Sequence, residues 1–242
     1  MCKIHGNSGN RIMSKKKGSK RYQALVKDFD KNKPLKIEEA VKVIKEKSKA
    51  KFIESLDVSF FLAVDKSKPD SVLRTTVDLP NGNGKKIKIA VVCPSSKIEE
   101  AKTAGADVAG SEELIETINS GKIDFDILVS TPDMMSKVGK LGKVLGPKGI
   151  MPNPKYGTVS PNISKAVADI KKGRVEIRCD KDGNLNLSIG RVNFEDKKII
   201  DNFKSVCDAI EKEKPSGIKG NYIKSVFLTN SMGPSVRLNL GN

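Results

Sequence analysis

PNGNGKKIKIAVVC, Pro80 to Cys93, divides this 242-residue chain into two styles of folding. Asn81 to Gly84 is a hinge-like turn. Ile87 to Cys93 then runs apolar except for Lys88, as expected of a parallel strand covered on both faces. Upstream the pattern is one-sided. Ile37 to Ala50 places Ile37, Ala40, Val41 and Ile44 on one face of an amphipathic helix, after a shorter helix around Tyr22 to Phe29. Leu56, Val58, Phe60, Leu62 and Val64 alternate with Asp57 and Ser59, and Leu73 to Leu79 alternates likewise until Pro80 ends it.

Downstream, Ser96 and Glu99 read as a capping box for a helix ended by Gly105, and Ser111 as the cap of another ended by Gly121. Phe125 to Val129 reads as a second buried strand, Thr131 with Pro132 opens a third helix, and Ile163 to Ile170 is a helix stopped by Gly173. After Gly173 the one-sided alternation returns. Val175, Ile177 and Cys179 form a hairpin with Leu185, Leu187 and Ile189 around Asp180 to Gly183. Asn193 caps a long helix with Ile199, Ile200, Phe203, Val206, Cys207 and Ile210 inward, and strands follow at Tyr222 to Thr229 and Val236 to Leu240. The expected fold class is thus α/β and α+β in two domains. A discontinuous α+β domain comprises 14–82 and 174–242, and a three-layer α/β Rossmann-like domain, 83–173, is inserted in it. Residues 1–13 are expected to be a disordered basic extension, with Met13 reading as a natural start.

The formal net charge of +16 points to an anionic partner, nucleic acid first. The charge is densest in GKLGKVLGPKGIMPNPKYGTV, Gly139 to Val159, where Lys140, Lys143, Lys148 and Lys155 stand among five glycines and three prolines with no acid. From Lys137 to Arg174 the only acid is Asp169, so the segment reads as an ordered basic surface. The first 21 residues carry seven Lys or Arg and no acid, either a solvated tail or an arm that follows an RNA backbone. No run is long and apolar enough to span a membrane, and no membrane partner is expected.

Enzyme chemistry has little to stand on. His5, the one histidine, lies in the polar N-terminal stretch, and Cys2, Cys93, Cys179 and Cys207 form no CxxC pair, so they read as thiols of a reducing compartment. Neither a metal nor a cofactor is expected. The glycines near Gly142 do not make a phosphate loop, which disfavours the alternative of a nucleotide-using enzyme. Asp180 and Asp182 around Lys181 read as turn chemistry. With no Trp, three Tyr and eight Phe, recognition by shape, backbone and sugar contacts is favoured over base stacking. Spacing alone makes Phe52 a core ring at a helix end. Asn230-Ser231-Met232-Gly233-Pro234 presents a hydroxyl, a soft apolar chain and bare backbone side by side, a combination suited to sugars and base faces.

AKFIESLDV at Ala50 to Val58, VLRTTVDLPNGNGK at Val72 to Lys85, the Gly139 to Val159 run and KGNYIKSVFLTNSMGPSVRLN near the end together resemble the ribosomal protein L-one family, from Ser14 onward. The resemblance implies a cytoplasmic large-subunit ribosomal protein, monomeric when free and not an enzyme. It further implies binding to the rRNA stalk beside the tRNA exit site, help in releasing deacylated tRNA, and repression of translation from its own operon mRNA. Carried over by position, the rRNA surface comprises Lys51, Phe52 and Glu54 on one side. Asp180, Lys181, Ser225, Ser231, Met232 and Gly233 make the other. Lys140, Lys143, Lys148 and Lys155 are further candidate contacts to RNA or tRNA. Two positions depart from the family pattern: Ser231 stands where Thr is usual, and Thr75 where Gly follows the arginine.

Overall fold

A computed structural model describes residues 19–27, 33–64, 73–215 and 220–239. The basic extension, the end of the first predicted helix and Leu240 lie outside these. The rest is a mixed α/β structure with eight α-helices and three sheets among the described residues.

The first sheet has the order β7-β1-β8-β9, antiparallel throughout, from β1 (Ser55–Leu62), β7 (Asn184–Arg191), β8 (Ile223–Asn230) and β9 (Val236–Leu238). Its inward residues, among them Leu56, Val58, Phe60, Leu62, Leu187, Val226 and Leu228, share one core with α2 (Ile37–Lys47) and α8 (Asp196–Lys212). Phe60 stacks on Phe203 with ring centroids 6.1 Å apart. Both helices lie on this one side, which explains why every second residue of β1 is buried. The short α1 (Lys20–Val26) is capped by the Ser19 side chain, which accepts from the Tyr22 amide.

Two predicted pairings differ. The alternating segments β2 (Arg74–Asp78) and β6 (Arg174–Arg178) pair with each other as a separate two-stranded ribbon. The predicted hairpin between β6 and β7 is therefore confined to its tip, where Cys179 bridges Leu185 before the strands part. Alternation reports one buried face, and both arrangements supply one.

The middle of the chain forms a parallel sheet of order β4-β3-β5, from β3 (Ile89–Val92), β4 (Val108–Gly110) and β5 (Ile127–Ser130). Ala90 and Val92 face one cluster, built with α4 (Glu112–Asn119), α5 (Met135–Gly139) and α6 (Gly142–Lys148). Ile89, Val91 and Cys93 face another, built with α3 (Ile98–Thr103) and α7 (Ile163–Lys172). Period-two alternation sends successive residues to opposite faces, and both faces are dry, hence the unbroken apolar run. The predicted caps fare less well. Neither α3 nor α4 has a side-chain cap, a 3-10 turn over Ser95–Lys97 replaces the capping box, and α8 starts after Glu195, not Asn193.

The basic run contains a helix that its glycines concealed. Leu141 and Leu145, one turn apart, are both buried, and that anchors α6 despite Pro147 in its last turn. Gly149 at φ +70 ends it, donating to the Gly146 carbonyl at 3.0 Å.

Two strands of chain join the middle to the rest, and they touch. Gly173 has φ +111, and a Cβ there would lie 2.7 Å from the Gly82 Cα, so both the conformation and the space require glycine. Asn202, fully buried on α8, fixes the first connection: its Nδ2 donates to the Gly82 and Ile189 carbonyls, both at 2.8 Å, and its Oδ1 accepts from the Asn81 amide at 3.1 Å. Arg174, just past Gly173, binds both oxygens of Asp78, and this ion pair holds the Asp78 carboxyl below its ordinary range.

All three described cysteines have thiols shifted up by burial, Cys207 to about 12. The thiolate is the reactive form, so Cys93, Cys179 and Cys207 should resist a thiol-specific disulfide reagent at pH 8 in the native protein and react at once in denaturant. Rapid native labelling of any of the three, read by peptide mass, would contradict this packing.

Candidate nucleic-acid interface

The turn after β8 is built by pairing with the start of β1. The Ser231 amide donates to the Ser55 carbonyl and the Ser55 amide to the Ser231 hydroxyl, both at 3.2 Å. Ser231 Oγ is thereby used as an acceptor and keeps its proton to give elsewhere. Met232 stands out at 45% exposure.

Glu54 organises what surrounds this turn. The resemblance marks it as an rRNA contact, but the side chain is 1% exposed and its oxygens are committed internally. Oε2 accepts from the Met232 amide at 3.1 Å, while Oε1 accepts from the Ser48 hydroxyl at 2.9 Å and the Ala50 amide at 3.3 Å. One carboxylate thus ties the end of α2 to the last turn. The consequence is that Lys51 and Phe52, which follow Ala50, are held beside Met232. Phe52 is 54% exposed and Ile53 53%, so the core placement that spacing suggested for Phe52 is overturned. Three charge-assisted bonds outweigh the burial cost of a lone carboxylate where an unbonded one would not persist.

Gly233 has a constraint of its own. It is not in the left-handed region, yet a Cβ there would lie 1.8 Å from Asn230 Oδ1. Asn230 is 3% exposed and neither polar atom of its amide finds a hydrogen-bond partner. A bulky residue at 233 would therefore distort the turn before any ligand arrived. Arg21 adds a brace from α1, its guanidinium donating to the Met232 carbonyl at 3.1 Å. Sequence reasoning assigned no role to Asn230, because an Asn ending a strand looks like ordinary turn chemistry.

Asp180 and Lys181 lie at the far end of β1. Their turn is docked by the Leu62 amide, which donates to the Gly183 carbonyl at 2.8 Å, and Gly183 at φ +91 would place a Cβ 2.5 Å from the Leu62 carbonyl oxygen. The eight residues of β1 span about 25 Å at the usual rise. So the carried-over residues do not form one cluster: Lys51, Phe52, Ser231, Met232 and Gly233 gather at one end, and Asp180 and Lys181 at the other. Ser225 sits opposite Phe61 near that second end.

Lys140, Lys143, Lys148 and Lys155 belong to the other body of the fold, around α5, α6 and the 3-10 turn Pro154–Tyr156. All four are exposed and none is in an ion pair among the described residues, whereas Lys137 is paired with Glu112. The Thr158 hydroxyl accepts from the Asn153 amide at 2.8 Å, and the Asn153 side chain accepts from the Lys155 amide, which fixes the loop that carries Lys155. Among the described residues no group of three His, Cys, Asp or Glu side chains could hold a metal.

Replacing Glu54 by Gln removes the charge from all three hydrogen bonds and turns an NH2 group against at least one of the donors, and should cost about 1.5–3 kcal/mol, read from the denaturant midpoint. An unchanged midpoint would show that the carboxylate does not brace the turn. Gly233→Ala should cost about 1–3 kcal/mol by overpacking, and Asn230→Ala should relieve much of that in the double variant. Strict additivity of the two would contradict the clash.

The Ribosomal protein L1p/L10e family matches residues 44–234, a span that takes in the last turn of α2, Glu54, the middle sheet, the basic run and the Ser231–Gly233 turn. That covers well over half of the chain, and the family is one of structural ribosomal proteins, not enzymes. The chain belongs to the Ribosomal protein L1p/L10e family and is a large-subunit ribosomal protein that binds rRNA.

Proposed function

We propose that residues 14–82 and 174–242 act as one rRNA-binding unit that holds the stalk of large-subunit rRNA, and that 83–173 is a mobile insert reaching deacylated tRNA in the exit site. The observation that carries this reading is the Glu54 carboxylate, which joins the exposed Lys51 and Phe52 to the exposed Met232 in one rim. Such a rim offers cation, ring, soft side chain and hydroxyl together, the set that folded RNA requires for phosphate, base and sugar contacts. The four lysines around α6 suit a second polyanion, since they are exposed, have no ion-pair partner among the described residues, and sit on helices and a turn packed around the other sheet. The same rim would bind a stalk-like site in the operon mRNA and so repress its translation.

Binding of the whole chain to an isolated rRNA stalk fragment should weaken with salt at a log-log slope of roughly −3 to −6, from about 0.7 to 0.9 per phosphate neutralised. A slope near zero would remove the electrostatic argument. Met232→Ala with Phe52→Ala should lower stalk affinity at unchanged slope, because neither residue is charged. Lys140, Lys143 and Lys148 changed together to Gln should leave stalk affinity largely intact and slow tRNA release from the exit site. If the lysine variant instead loses the stalk and the Met232 and Phe52 variant keeps it, recognition lies in the insert.

A further inference from the structure

The face of the first sheet turned away from α2 and α8 connects the Glu54-braced rim to the Asp180 turn at the other end of β1. Its residues alternate with the buried ones, so Ser59, Phe61, Ser225 and Phe227 fall together on it. Ser59 is opposite Phe227 and Phe61 opposite Ser225, which makes the two rings diagonal neighbours. Phe61 is 38% exposed, unusual for a ring in the middle of a sheet whose other face is dry.

A bulge completes the arrangement. Phe61 pairs with Ser225 and Leu62 with Ile223, leaving Lys224 as the unpaired extra residue. Strict alternation would send Lys224 to the buried face with Val226. The bulge swings it out, and its ammonium lies 5.3 Å from the centre of the Phe61 ring. A bulge that exposes a cation above an exposed ring has little to offer the core.

We propose that this sheet face is a stacking platform for an unpaired base of the bound rRNA, with Phe61 as the ring and Lys224 moving from the ring to the adjoining phosphate. The inference rests on the rRNA-binding reading. RNA is the occupant because the face continues along β1 and β8 from the Ser231 turn toward the Asp180 turn, carries Lys224 over the ring, and sets the Ser59 and Ser225 hydroxyls beside Phe61, with Asp57 the one carboxylate of β1 on this face, four residues away at the Ser231 end. Sequence composition favoured recognition without stacking; two rings on one sheet face are enough for one or two bases, as they are for other sheet-based RNA binders.

The chain has no Trp, so Phe61→Trp introduces a lone reporter. Titration of this variant with the rRNA stalk fragment should quench its emission in step with binding. Phe61→Ala should lower affinity about 5- to 150-fold at unchanged salt slope, the range for losing one stacked base. Lys224→Met should reduce the slope by about 0.7 to 0.9. Circular dichroism and thermal midpoints establish that each variant is folded. Emission that stays unchanged at saturating RNA, or wild-type affinity in Phe61→Ala, overturns the platform and leaves the face to a protein neighbour. If the Phe61 variants do not fold, Lys224→Met decides, and an unchanged slope overturns the proposal. Failure of the wild-type chain to bind the fragment would be a different result: it would contradict the rRNA reading itself.

Discussion

One buried carboxylate holds the candidate interface together. Glu54 is almost without solvent, and its two oxygens take donors from the end of α2 and from the turn after β8, segments about 180 residues apart in sequence. Both segments lie just beyond regular structure, where few backbone hydrogen bonds of the helix or the ladder hold them. Long-range hydrogen bonds to a charged acceptor are the strongest available substitute. The exposed groups, Lys51, Phe52 and Met232, carry no such constraint and are free to meet a ligand. Preorganisation of this kind lowers the ordering cost of binding any ligand at this rim, because the rim is already in place.

The same logic of fixed and free parts governs the two connections. Asn202 ties Gly82 to α8 and to the carbonyl of Ile189 in β7, so the first connection is rigid up to that glycine. Beyond it, Gly84 at φ +72 packs its bare Cα toward the Phe194 ring, and Gly173 touches Gly82. Arg174 also reaches Asp169 of α7 at 3.6 Å, so an ion pair crosses between the two cores here, while the glycines permit dihedral change that other residues would resist. Asn202 is the anchored side of these connections and the glycines are the permissive side.

Much of this was legible in the sequence because it rests on burial periodicity. The one-sided alternation of Leu56 to Leu62 and the two-sided run of Ile89 to Val92 each map onto the sheet they predicted. Partner choice was not legible: β2 and β6 alternate just as β1 does, and no local signal says that they pair apart from it. The α6 helix was hidden because Gly142, Gly146 and Pro147 are breakers in isolation, while the Leu141 and Leu145 anchors act only in the folded state. The turn at Ser231 to Gly233 was legible from its composition. The roles of Glu54, Asn230 and Asn202 did not, since a polar residue inside an alternating or amphipathic pattern reads as exposed until tertiary contacts bury it.

Amide hydrogen exchange of the whole chain, with and without the rRNA stalk fragment, tests the central claim most directly. Protection on binding should concentrate at residues 50–53, at 231–233 and along β1 and β8, with little change between 139 and 159. Protection confined to the 139–159 segment, with the Glu54-braced turn exchanging as in the free protein, would contradict the account.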